Sequence, residues 1–93
     1  MKLLSIVFSF RNEEKNLSEL IKRTSEIIKK LDNWDYEFIF VNDDSDDNSE
    51  KILIDNQKNH NVKIINMSRR FGVGPCVLAG LEHTKGDAVI YMD

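Results

Sequence analysis

The sequence predicts an α/β fold: a parallel sheet of four strands in the order 3-2-1-4, with helices on both faces as a three-layer sandwich. Two observations predict it. Short apolar runs alternate with amphipathic or helix-forming stretches in a β-α-β-α-β-α-β string. Helices between apolar strands require parallel strands joined by right-handed crossovers. A third observation concerns function. The polar clusters fall directly after strands, at the sheet edge where such folds bind ligands.

The elements follow in order. Leu3 to Phe10 is apolar, aromatic or β-branched except for Ser5 and Ser9, and reads as a buried strand. Leu17, Leu20, Ile21, Thr24, Ile27, Ile28 and Leu31 recur in steps of three and four, which draws one stripe along a helix. Glu13 and Glu14 suit that helix's positive start, Lys29 and Lys30 suit its end, and Asp32-Asn33 breaks it. Tyr36 to Val41 is the second strand, its entry anchored by Trp34 and Tyr36. Asp47 and Glu50 have capping-box spacing for a short helix through about Asn59. Val62 to Met67 is the third strand, and a loop runs from Ser68 to Gly74. Pro75 fits the first turn of a third helix, with Cys76, Val77, Leu78, Ala79 and Leu81 facing inward. Gly86 ends it, and Ala88 to Met92 is the fourth strand.

The chain has 93 residues, 41% hydrophobic and 31% charged, with one Pro and four Gly, which is a globular composition and not that of a disordered tail. The net charge of −3 argues against nucleic acid as a partner, because phosphate binding wants a basic face. The single cysteine, Cys76, excludes an internal disulfide and suits a reducing, cytoplasmic compartment. It reads as a small core residue. No apolar stretch approaches the roughly 20 residues of a membrane span, and the opening Met1-Lys2-Leu3-Leu4 runs into a strand and not a signal peptide. His60 and His83 read as solvent-exposed, neither with a metal-ligand partner.

In the order 3-2-1-4 the strand order reverses between strands one and four. Three polar sets should converge there: Ser9 to Glu13, Asn42 to Asp47, and Asp93. Asn42 to Asp47 holds four aspartates in six residues. Asp44, Asp46 and Asp47 read as a solvated loop and a cap. Asp43 directly follows the buried strand and should face the crevice, where its carboxylate can accept an N–H from the imide of uracil or the amide edge of guanine. Asp93 emerges likewise from the fourth strand. Arg69 and Arg70 lie near a helix start, where they could meet a diphosphate or belong to a plain surface loop. Gly72-Val73-Gly74 is not a dinucleotide fingerprint, since it follows the third strand and lacks the third glycine.

These residues resemble a known family. Ser5 to Leu17, with its Arg11-Asn12-Glu13-Glu14 turn, is similar to the opening strand and Asn-Glu-Glu turn of family 2 glycosyltransferases. Phe40 to Ser49 resembles their Val-Asp-Asp-Gly-Ser-x-Asp segment. Ser68-Arg69-Arg70-Phe71-Gly72 with Ala79-Gly80-Leu81 resembles a signature of the branch that glycosylates polyprenyl phosphates, which includes dolichol-phosphate mannose synthases and bactoprenol glucosyltransferases. Gly86-Asp87-Ala88 and Tyr91-Met92-Asp93 resemble the strand leading into the family's Asp-x-Asp motif. The sequence departs from the family at Ser9, where Pro is usual, at Arg11, where an aromatic is usual, and at Asp44, where Gly is common. Val73-Gly74-Pro75 lacks the usual lysine or histidine-type residues.

The resemblance implies a Rossmann-like sheet forming the N-terminal half of a GT-A nucleotide-diphospho-sugar transferase fold, with residues 1–93 as its nucleotide-sugar-binding half. It implies that Ser9, Arg11, Glu13, Val41 and Asp43 line the base and ribose pocket. It implies that Asp93 is the first aspartate of Asp-x-Asp, near a divalent cation, Mg or Mn. The donor would be a UDP- or GDP-linked sugar and the acceptor a polyprenyl phosphate at the cytoplasmic face of a membrane. The catalytic residues and the acceptor half would lie beyond residue 93, so this part alone is expected to be inactive. Ala88 to Met92 is apolar on both faces and forms a sheet edge, from which we expect a homodimer through the fourth strand. Acidic residues at strand ends in a small βα sheet also describe the alternative, a small receiver-like or nucleotide-binding signalling module. It fits less well, because the acidic cluster follows the second strand and no fifth βα unit is present.

Overall fold

A computed structural model describes residues 1–92. Four strands, β1 (Lys2–Phe10), β2 (Trp34–Asn42), β3 (Val62–Asn66) and β4 (Ala88–Met92), alternate with three helices, α1 (Leu17–Lys29), α2 (Ser49–Asn56) and α3 (Val73–Glu82). All pairings are parallel and the order is β3-β2-β1-β4, as the sequence predicts. β2 runs longer than expected because it pairs with β1 from Lys2↔Trp34 to Phe10↔Asn42.

Alternation of side chains gives the sheet two different faces. Leu4, Ile6, Phe8 and Phe10 of β1 join Tyr36, Phe38 and Phe40 of β2 in the main core, closed by Leu17, Ile21 and Ile28 of α1 and Leu53 of α2. Phe8, Phe10, Phe38 and Phe40 stack or meet edge-on at 5.6–6.2 Å between centroids. Ser5, Val7 and Ser9 of β1 and Glu37, Ile39 and Val41 of β2 point the other way, toward α3. There α3 lies so close that a Cβ on Gly80 would strike Val7 and sit 3.1 Å from Val41.

Several helix details differ from the sequence reading. α1 buries Leu17, Ile21, Ser25 and Ile28, while Ile27 and Leu31 are exposed, because two layers cover only part of the stripe. α2 ends at Asn56 and has no capping box: Asn48 is the N-cap, and Asp47, one residue earlier, accepts the Ser49 N–H at 2.9 Å. α3 buries only Cys76 and Gly80, and Leu78 and Leu81 are exposed. Its apolar positions surround the helix, and one sheet face can cover only one side. His60 is half-buried and not fully exposed, its Nδ1 3.0 Å from the Tyr36 hydroxyl.

Candidate functional site

The carboxyl ends of β1 and β2 carry two loops that hold each other in shape. The backbone N–H groups of Asn12, Glu13 and Glu14 donate to the Ser45 hydroxyl, the Ser49 hydroxyl and the Asp47 carboxylate at 2.9, 3.0 and 3.3 Å. Asn12 accepts in return from the Asp46 N–H at 3.0 Å. The polar run after β2 therefore satisfies the turn after β1. Asn12 and Asp44 adopt left-handed backbone, with φ of 57° and 56°, a region Asn and Asp enter more readily than other non-glycine residues. Glycine would meet the same backbone at Asp44 without steric cost.

Above this frame lies a cavity of about 260 Å³, lined by Ser9, Phe10, Arg11, Asp43, Arg70, Gly72, Val73 and Cys76. A larger groove of about 510 Å³ lies at the opposite end of the strands, around Trp34, Tyr36 and His60. Strand polarity favours the smaller one, since open parallel sheets bind ligands beyond their carboxyl ends.

Asp43 is the centre of the smaller cavity. Its backbone N–H donates to the Phe10 carbonyl at 2.9 Å, which ties the two strand ends together. Its carboxylate is 7% exposed in the residue as a whole and accepts the Phe71 and Gly72 N–H groups at 2.7 and 2.9 Å. Burial alone would push its pKa up. The two backbone donors, the Cys76 thiol and the Arg70 charge outweigh burial and hold it below the usual carboxylate range. Asp43 stays ionised, and it clamps the loop that carries Arg70 over the cavity. Burial and the Asp43 charge push the neighbouring Cys76 thiol up to about 11. That thiol is protonated at neutral pH and is no nucleophile.

Arg11 supplies the second distinctive feature. Its Nη2 reaches Asp46 at 3.4 Å, a loose pair at the rim. Its Nε is buried and has no hydrogen-bond partner among the described residues. An unpaired buried N–H costs about 1–3 kcal/mol unless something accepts from it.

Of the residues singled out from sequence, the fold brings Ser9, Arg11, Asp43 and Arg70 together around one cavity. Ser9 is 2.8 Å from the Tyr91 hydroxyl, oxygen to oxygen. Glu13 does not line the cavity: its carboxylate accepts from Asn16 at 2.8 Å beside the start of α1. The Val41 side chain lies beneath α3, wholly buried. Arg69 stacks on the Phe71 ring at 4.8 Å, outside the cavity. Asp93 lies outside the described residues. Sequence reasoning missed Phe10, Cys76 and the Phe71-Gly72 backbone. Main-chain donors carry no residue-type signal, and an apolar wall looks like core. Among the described residues no group of three or more acidic, His or Cys side chains could hold a metal ion. No described helix is long and apolar enough to cross a membrane.

The comparisons with known proteins decide the family. The model for glycosyl transferase family 2 matches residues 5–93. The chain belongs to family 2 of the glycosyltransferases. An uncharacterized glycosyltransferase of Synechocystis sp. is 45% identical over 91 residues. An undecaprenyl-phosphate 4-deoxy-4-formamido-L-arabinose transferase of Pseudomonas fluorescens is 38% identical over 92 residues. Each alignment takes in 97% of this chain but only 28% and 27% of the relative, so the chain spans little more than a quarter of these family 2 proteins. The fold is similar to that of Staphylococcus aureus TarS, solved with UDP (TM-score 0.85, 23% identity, 100% of this chain and 27% of that one). It is also similar to the mannosyltransferase PcManGT of Pyrobaculum calidifontis, solved with GDP-Man and Mn2+ (TM-score 0.76, 15% identity, 92% of this chain and 25% of that one). The fold is therefore that of the GT-A glycosyltransferases.

Proposed function

We propose that this chain is the donor-nucleotide-binding part of an inverting glycosyltransferase that moves a sugar from a nucleoside diphosphate sugar to a polyprenyl phosphate. One observation carries the reading. Beyond the carboxyl ends of β1 and β2, an ionised Asp43, a buried Arg11 N–H unpaired among the described residues, and Arg70 share a single small cavity. A carboxylate acceptor beside a guanidinium donor matches the N–H and C=O edge of uracil or guanine. Each lone pair on Asp43 not taken by Phe71 or Gly72 can accept a base N–H. Arg70 then stands where the diphosphate would leave the cavity, with Arg69 one residue away.

The sugar donor in this reading is UDP- or GDP-linked. A divalent cation, Mg or Mn, would neutralise the departing diphosphate. The described residues make no complete ligand set for it, so Asp93 would share it with diphosphate oxygens and further ligands. The polyprenyl acceptor is supported by the Pseudomonas fluorescens relative, named for transfer to undecaprenyl phosphate. With such an acceptor the work belongs at the cytoplasmic face of a membrane. Residues 1–93 hold the donor side only, and we expect no turnover from them alone. The β4 edge, with Val89 and Ile90 more than 40% exposed, is proposed to pair with a second copy of the chain. Light scattering at high micromolar concentration tests that pairing, and a strict monomer refutes it.

The binding reading is tested by thermal shift with UDP, GDP, ADP and CDP, each with and without manganese. Stabilisation by UDP or GDP, lost in Asp43→Ala, is the expected result. Equal stabilisation by CDP or ADP would overturn the base assignment.

A further inference from the structure

Glu37 is a buried acid that the proposed donor site does not use. It sits in the middle of β2 on the α3 side of the sheet, and it is 1% exposed. Its Oε2 accepts from the Ser5 hydroxyl at 2.5 Å and from the Lys85 backbone N–H at 2.8 Å. Its Oε1 pairs with Lys63 of β3 at 2.9 Å. Ser5, whose hydroxyl donates to Glu37, accepts in turn from the Gly86 N–H at 2.8 Å. A polar line thus crosses the whole sheet: Lys63 of β3, Glu37 of β2, Ser5 of β1, and the turn that starts β4. One residue further, Asp87 and Leu3 exchange two bonds at 2.7 and 2.8 Å. A Cβ on Gly86 would collide with Ser5, and it would lie 2.8 Å from the Leu3 carbonyl oxygen. The turn can therefore sit this close only as glycine.

β4 needs such a fixture. Its five residues, Ala88–Met92, are apolar on both faces, among the described residues it pairs with β1 alone, and Val89 and Ile90 are half-exposed. Strand register is normally set by the difference between a buried and a solvated face. β4 has no such difference. A slip of one residue would send Tyr91 to the other face of the sheet. A slip of two would move it about 6.6 Å along the strand. Either slip breaks the Ser9–Tyr91 hydrogen bond at the rim of the cavity.

We infer that Glu37 is a positioning residue: through Ser5 and the Lys85-Gly86 backbone it fixes the register of β4 against β1, and so places Tyr91 at the crevice from the opposite end of the sheet. This holds whatever ligand the crevice takes.

The test is NMR on the 93-residue chain, comparing the parent with Glu37→Gln and with Ser5→Ala. Two readouts are needed: interstrand amide contacts between Ser5–Phe8 and Val89–Met92, and amide exchange across all strands. Both variants should lose the native Ile6–Ile90 register contacts, and β4 protection should fall about tenfold or more while β1, β2 and β3 stay protected. The double variant should do no more than either single one, because both cut the same link. Unchanged β4 contacts in both variants would overturn the inference. So would an equal loss of protection in every strand, which would make Glu37 a general stabiliser. Should Glu37→Gln fail to fold, Ser5→Ala alone decides between the same outcomes, since it leaves no buried charge without its Lys63 partner.

Discussion

Asp43 has two partners on the loop and, in the proposed function, a third in the ligand. Its folded pKa is depressed, so its contribution to stability is complete above the unfolded value of about 3.9 and disappears as pH falls through the folded value. A carbon-detected titration of the Asp43 carboxyl should give a midpoint below that of an ordinary aspartate; one at or above about 3.9 would mean that the Phe71 and Gly72 donors do not hold it. Cys76 offers a second readout of the same charge. Its thiol is pushed up to about 11 by burial and by Asp43. Asp43→Asn removes the charge and weakens the clamp on the loop. Cys76 should then react several-fold faster with iodoacetamide at pH 8, and an unchanged rate would separate the thiol from Asp43.

At the scale of elements, α3 is the least covered helix, and Gly80 is where it touches the sheet. Gly80→Ala gains about 1 kcal/mol in helix propensity. The added methyl meets the branched side chain of Val7 in a packed layer, and such overpacking costs about 1–3 kcal/mol. The steric cost wins, because Val7 and Val41 belong to the two central strands and cannot retreat. Chemical denaturation should show a net loss of about 1 kcal/mol or more; an equal or higher midpoint would mean that α3 rides free of the strands. The exposed Leu78 and Leu81 show the limit of periodicity. An apolar helix announces that it will be covered, but not by which neighbour. Glu37 shows the converse. Read alone it looks like a misplaced charge in a strand, and only the parallel pairing of β1, β2 and β3 reveals Ser5 and Lys63 beside it.

For the molecule as a whole, the topology was legible because it needs only the alternation of strands and helices and one rule of handedness. The end of the sheet that holds the site followed from that topology. Ser9, Arg11 and Asp43 were legible for the same reason: each lies at or just beyond a strand's carboxyl end. Glu13 and Val41 share that address but not the cavity. Glu13 is spent on the start of α1, and Val41 is turned under α3 by strand alternation. The Phe71-Gly72 clamp was not legible, because it is made of main-chain N–H groups 28 and 29 residues from Asp43. In the proposed function a nucleoside diphosphate binds in the Asp43–Arg11 cavity and not in the larger groove at the other end of the strands. Titration of UDP or GDP into the nitrogen-15-labelled chain distinguishes the two sites. We predict amide shifts concentrated at residues 9–12, 43 and 70–76, absent in Arg11→Ala. Shifts centred on Trp34, Tyr36 and His60, or none at saturating nucleotide, would contradict it.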